Sequence, residues 1–189
     1  MTSSRRLAAL LASGTAILLG SGALPGSAAA AGGGCAGAGL IPTAANTATV
    51  RAATLCLINA VRARVHVRSL RVNASLQAVA ASEVQGMIRH DYFADVAPSG
   101  ETPGALIHAT GYAARGNLFT GEDIGLGTGS AATPAVIVRA WLNSPEHRAI
   151  MLDGRYRDIG VGVVAAVPAF MGRRARGATY AIELGARLP

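Results

Sequence analysis

Ile159-Gly160-Val161-Gly162-Val163-Val164 sets β-branched residues in alternation with glycine, and Ala178-Thr179-Tyr180-Ala181-Ile182 resumes a β-rich pattern after a break. A period of two sends successive side chains to opposite faces of a strand. The two segments read as an antiparallel pair joined by a loop from Pro168 to Gly177, with Arg173, Arg174 and Arg176 at its tip. Upstream the period changes. Asn46 or Thr47 can cap a helix whose apolar positions Val50, Leu57, Ile58, Val61 and Val65 recur every three or four residues. Asn73 can cap a second, with Leu76, Val79, Ala80, Val84, Met87 and Ile88 on one face. Asp91 to Gly100 is rich in turn residues. Thr102-Pro103, Thr133-Pro134 and Ser144-Pro145 each set a capping hydroxyl before a proline suited to the first helical position, and Gly111 is a natural stop. Helices first and strands last predict an α+β fold with helices packed on a sheet.

The first thirty or so residues follow a different logic. Arg5 and Arg6 precede an uncharged apolar run from Leu7 to Leu24, and Ser27-Ala28-Ala29-Ala30-Ala31 offers small residues to a signal peptidase. This order reads as a cleaved export signal over residues 1–31. The rival reading is an N-terminal membrane anchor, which Gly14, Gly20, Gly22 and Pro25 weaken. Residues 32–45 then form a flexible Gly/Ala-rich leader, and residues 46–189 a single domain with no transmembrane span. Cys35 and Cys56 both lie in the mature chain. In an exported protein they most simply make one bridge, the other reading being two free buried thiols.

The formal charge is +7, and cleavage would remove Arg5 and Arg6 to leave +5. All the positive charge is arginine. Nucleic acid is excluded as a partner by the expected compartment and by an aromatic content of 4%. Attraction to anionic lipid or cell-wall polymer is compatible with the arginine clusters.

Several short segments, in order, resemble the CAP superfamily of cysteine-rich secretory, antigen 5 and pathogenesis-related proteins. They are Asn59-Ala60-Val61-Arg62, Met87 with Tyr92-Phe93, Gly111-Tyr112 and Gly121-Glu122-Asp123-Ile124-Gly125-Leu126-Gly127. Trp141-Leu142-Asn143-Ser144-Pro145-Glu146-His147-Arg148, Ile159-Gly160-Val161-Gly162 and Tyr180 complete the set. The resemblance covers residues 50 to 185. It implies an α+β, three-layer α-β-α sandwich with an antiparallel central sheet and a cleft.

The family's cleft carries up to two histidines and two acidic residues, which in some members hold a divalent metal. Carried over by position, the acidic residue of the glycine-rich segment falls on Glu122 and the second histidine on His147. The first histidine position, two residues after Phe93, is Asp95. No residue clearly matches the fourth. Two carboxylates and an imidazole are ligand types that zinc, magnesium or manganese accept. The expected metal set is therefore Asp95, Glu122 and His147, with zinc or magnesium as the implied cofactor and Glu122 and His147 as the catalytic candidates. Glu122 can instead fix its turn through backbone hydrogen bonds, and His147 can simply finish the first turn of a helix.

Ser144 sits where an N-cap is wanted, so its hydroxyl is expected on backbone amides and not in serine catalysis. His66, His90 and His108 read as surface residues. Glu83 stands on the second helix with its direction undecided. Trp141 shares a helix face with Ile137 and Val138 and reads as core. Gly125, Gly127 and Gly129 make no phosphate loop, because no lysine-bearing helix start follows.

The expected function is a secreted, non-enzymatic binding module taking a lipid-like ligand or an extracellular protein or cell-wall partner in its polar cleft, as a monomer. The alternative is a metal-dependent hydrolase acting on peptide or cell-wall material.

Overall fold

The computed structural model describes residues 34–112, 117–172 and 175–188. The export signal falls outside these residues, as do Arg173 and Arg174. Five α-helices and four strands are present among the described residues. Helix α1 spans Thr47–Arg64, α2 Ala74–His90, α3 Pro103–Ala109, α4 Pro134–Asn143 and α5 Pro145–Leu152. The strands are β1 Arg71–Val72, β2 Asn117–Thr128, β3 Asp158–Val164 and β4 Gly177–Leu188. They form one sheet in the order β1-β3-β4-β2. β3 and β4 pair antiparallel, as the alternation predicts; β2 pairs antiparallel with β4 as well, and the two-residue β1 adds a parallel rung to the outer side of β3.

Two of the expected caps are made. Asn73 accepts hydrogen bonds from the amides of Ser75 and Leu76, and Thr102 accepts one from Ala105. Asn46 precedes α1 without capping it. Its side chain turns back into the leader, accepting from Thr43 and donating to Ile41. Helix α5 does start after Ser144, but the hydroxyl makes no cap bond, contrary to the expectation. Proline at the first helical position, which needs no amide partner, leaves less for the cap to do.

The sheet is covered on both faces. On one, α2 lies so close to β3 that only glycine fits beneath it. A Cβ on Gly160 would stand 2.2 Å from the carbonyl of Leu76, and one on Gly162 2.0 Å from that of Ala80. The glycines of the Ile-Gly-Val-Gly segment are thus the residues facing α2. On the other face, Val161, Val163, Tyr180, Ile182 and Leu184 join Ile58, Ile137, Val138, Trp141 and Met151 in the main core. Trp141 is buried there, as expected, and donates from Nε1 to the carbonyl of Ile124 at 2.8 Å.

The buried stripe of α1 is rotated from the expected one. It runs through Val50, Thr54, Ile58 and Arg62, while Val65 is exposed. Arg62 is fully buried, a polar residue at an apolar position of the helical wheel. It donates to the carbonyls of Arg68, Met151, Asp153 and Tyr156, tying α1 to the C-terminal end of α5. Asn59, three residues earlier, pairs with both the amide and the carbonyl of Leu70. The outer edge of β3 beyond β1 is closed by α2: Gln77 donates to the carbonyl of Val161 and accepts from its amide.

Cys35 and Cys56 form the disulfide, the simpler of the two readings of these cysteines. The leader is also held at Ala38, whose carbonyl accepts from the amide of Ala135 in α4. No helix among the described residues is long and apolar enough to cross a membrane.

Candidate functional site

Strand β2 is the Gly121–Gly127 segment in extended form, which its glycines hide from a hydropathy reading. Register places Glu122 directly opposite Glu183 of β4, with Gly160 of β3 on the other side of Glu183. These positions share the face that α2 covers. Glu83, one helical turn beyond Ala80, comes down onto them. One carboxylate oxygen from each of Glu83, Glu122 and Glu183 lies within 4.8 Å of the others.

Glu183 has no exposed surface and Glu83 is 8% exposed. Two acids facing each other across a strand pair repel, and here a third is added. With all three ionised, Oε2 of Glu83, Oε1 of Glu122 and both oxygens of Glu183 have no hydrogen-bond donor. A proton held within the cluster would supply a donor that the ionised carboxylates lack. Burial, followed by the charge of Glu83, drives Glu122 well above the usual carboxylate range. Burial and the contact with Glu83 do the same to Glu183. Among the described residues no arginine or histidine lies within 4.0 Å of these carboxylates, and the only side-chain ion pair is Arg155 with Asp153.

Alternation sends the next residue of β2 the other way. Asp123 is 1% exposed, both its oxygens lack a donor, and burial together with the charge of Asp95 pushes it up to about 8. It sits between Gly121, which faces Tyr156 and Ile150, and Gly125, which faces Ile137 and Trp141.

Beside the glutamates, at the exit of α2, opens a cleft of about 440 Å³. Glu83, Asp95 and Glu101 give it acidic walls, Met87, Tyr92 and Leu106 apolar ones, and Arg89 and His90 line it too. Glu83 is the residue common to cleft and cluster. Burial and the charges of Glu83 and Glu122 raise the Tyr92 phenol above its ordinary value.

Of the three residues expected to share a metal, Glu122 stands in the cluster. Asp95 is exposed and lines the cleft. His147 lines a separate cleft of about 340 Å³ with Phe93, Ile124, Trp141 and Ser144, and its Nδ1 is buried without a partner. No hydrogen bond joins Ser144 to His147, so the pair lacks the contact a nucleophile and base require. His66, His90 and His108 are exposed, as expected.

Glu183 was not a candidate from the sequence. Its signal is a lone acid inside the apolar run Ala181-Ile182-Glu183-Leu184, but the β-rich pattern gives out at Ile182. Only the β2–β4 register shows what it faces.

A family model described as the Cysteine-rich secretory protein family, CAP, matches residues 55–166. The chain belongs to this family. The uncharacterized Bacillus subtilis protein YkwD is similar over 108 residues at 31% identity, 57% of this chain and 40% of that protein. The match thus spans well under half of the curated relative. Among solved structures, an outer surface protein from Borrelia burgdorferi is similar with a TM-score of 0.59 at 20% identity, over 78% of this chain and 97% of that one. An extracellular protein containing an SCP domain from Bacillus anthracis gives 0.56 at 20% identity, over 72% of this chain and 42% of that one. These likenesses establish the CAP fold. Among the described residues, the acids that converge offer oxygen ligands alone.

Proposed function

We propose that this CAP protein is exported and acts as a non-catalytic binding module, whose cleft at the exit of α2 takes an amphiphilic ligand with a cationic or donor-bearing head. The carrying observation is the composition of that cleft. Glu83 and Asp95 supply acceptors beside the apolar side chains of Met87, Tyr92 and Leu106, a mixture that suits a polar head attached to an apolar body. A disulfide fits an oxidising, extracellular or cell-envelope setting. The metal-dependent hydrolase has less support, because neither His147 nor Asp95 stands with Glu122 among the acidic side chains that converge.

The test is calorimetric titration of the purified protein, in EDTA, with long-chain amphiphiles of equal chain length bearing amine, neutral or carboxylate heads. Saturable binding of the amine, weakened in Glu83→Gln, is the expected result. Equal affinity for all three heads, or none for any, would overturn the proposal.

A further inference from the structure

The sheet ends in a crowd of guanidinium groups that the cleft does not use. β1 and β3 start, and β4 finishes, at the same end of the sheet, because Arg71 pairs with Asp158 and Asp158 with Gly185. The last turn of α1 is tied to this end, where Arg62 donates to the carbonyls of Arg68, Asp153 and Tyr156. These segments carry Arg64, Arg68, Arg71, Arg155, Arg157 and Arg187. Their acids are Asp153, which Arg155 occupies, and Asp158, which accepts from Tyr112. Arg157 turns onto the carbonyls of Gly154, Arg155 and Tyr156. That leaves Arg64, Arg68, Arg71 and Arg187 exposed, with no carboxylate within 4.0 Å among the described residues. We propose that this arginine-rich end of the sheet binds a linear, phosphate-bearing polyanion of the cell surface.

Charge and surface chemistry choose the partner. Arg71 on β1 and Arg187 on β4 are two strands apart, about 10 Å across the sheet and about one Debye length at 0.1 M salt. Their fields therefore add where an anion approaches. A guanidinium offers a planar fork to phosphate oxygens, and a phosphodiester chain repeats such a group at every link. A bilayer suits this end less well. The large apolar side chains exposed here, among the described residues, are Val65 and Val72, with no aromatic ring or leucine to enter lipid. The exposed Phe170 and Met171 lie between β3 and β4, at the far end of the sheet. The amphiphile cleft also stands apart, since α2 starts beside β1 and its 17 residues carry its exit about 25 Å away. The cell-surface setting rests on the proposed export; the charge pattern stands without it.

The probe is end-labelled linear polyphosphate, titrated with the purified protein and read by fluorescence anisotropy at several salt concentrations. Saturable binding that weakens steeply with salt is expected. Arg68→Gln with Arg187→Gln, and separately Arg64→Gln with Arg71→Gln, should each weaken it at least about tenfold and lower the salt slope by about one to two. Arg139→Gln with Arg176→Gln removes the same charge elsewhere and should leave the affinity within about twofold, because distant charges are screened. Circular dichroism checks the fold of every variant, and either of the first two pairs serves if the other does not fold. Absence of saturable binding, equal losses in all three variants, equal affinity for polyglutamate of the same length, or tighter association with phosphatidylglycerol vesicles would overturn the proposal. No amphiphile is present, so failure here and failure of the ligand cleft are seen separately.

Discussion

Arg62 donates from Nη1 to the carbonyl oxygen of Met151 at 2.6 Å, joining a helix near the start of the domain to one near its end. A guanidinium can be buried here because its fork finds carbonyls on several sides, including the negative end of α5. Burial lowers its pKa, yet it remains a cation.

Arg62→Ala should therefore cost about 3 kcal/mol or more, since buried carbonyls at several segments lose their donor together. Arg62→Lys should recover only part of that, because an ammonium cannot reproduce the planar fork. Urea unfolding of the three proteins checks this. A loss below about 1 kcal/mol in the alanine variant would show that water replaces the guanidinium freely.

The approach of α2 to β3 gives a second expectation. Gly160→Ala places a methyl group at the Leu76 carbonyl, where neither backbone can yield without the other. We expect a loss of about 3 kcal/mol, at the upper end of overpacking costs. Gly154→Ala, whose Cβ meets nothing within 4 Å, is the comparison and should be near neutral. Thermal unfolding of both variants reads the difference.

Asp123 contributes to the pH dependence alongside Glu122 and Glu183, whose carboxyls are raised too. Its folded pKa is raised to about 8 from an ordinary 3.8, so between those limits the folded chain keeps a proton that the unfolded chain has lost. Folding is then linked to proton uptake. The contribution of this group is fully favourable below about pH 4 and is lost as pH rises towards about 8. Melting temperature measured in EDTA should fall across this window, and Asp123→Asn should make the fall shallower while Glu122 and Glu183 keep part of it. An Asp123→Asn profile parallel to wild type would place the cause in other groups.

The architecture was readable because it rests on local signals. Asn73 and Thr102 cap their helices, the prolines at positions 103, 134 and 145 start theirs, and the alternation at Ile159–Val164 is a strand. The site was readable only in part, because it depends on register. Glu122 stood out in its glycine-rich segment, but its neighbours come from α2 and β4. Glu83 had no assigned direction until α2 was seated on the glycines of β3. Glu183 fell just past the strand read as ending at Ile182, which in fact continues to Leu188. Arg62 was legible only as part of a short motif, because its burial depends on carbonyl partners as far away as Tyr156.

Gln77 bears on how these molecules behave in a crowd. A sheet edge invites a strand from another chain, and such additions seed aggregates. β1 shields the start of β3, and just past it the amide and carbonyl of Val161 are both engaged by a single side chain from α2. An incoming strand would have to displace two hydrogen bonds already made, beside a helix that it could not move aside. The protein thereby guards this edge of β3 with one amide group, without lengthening the sheet.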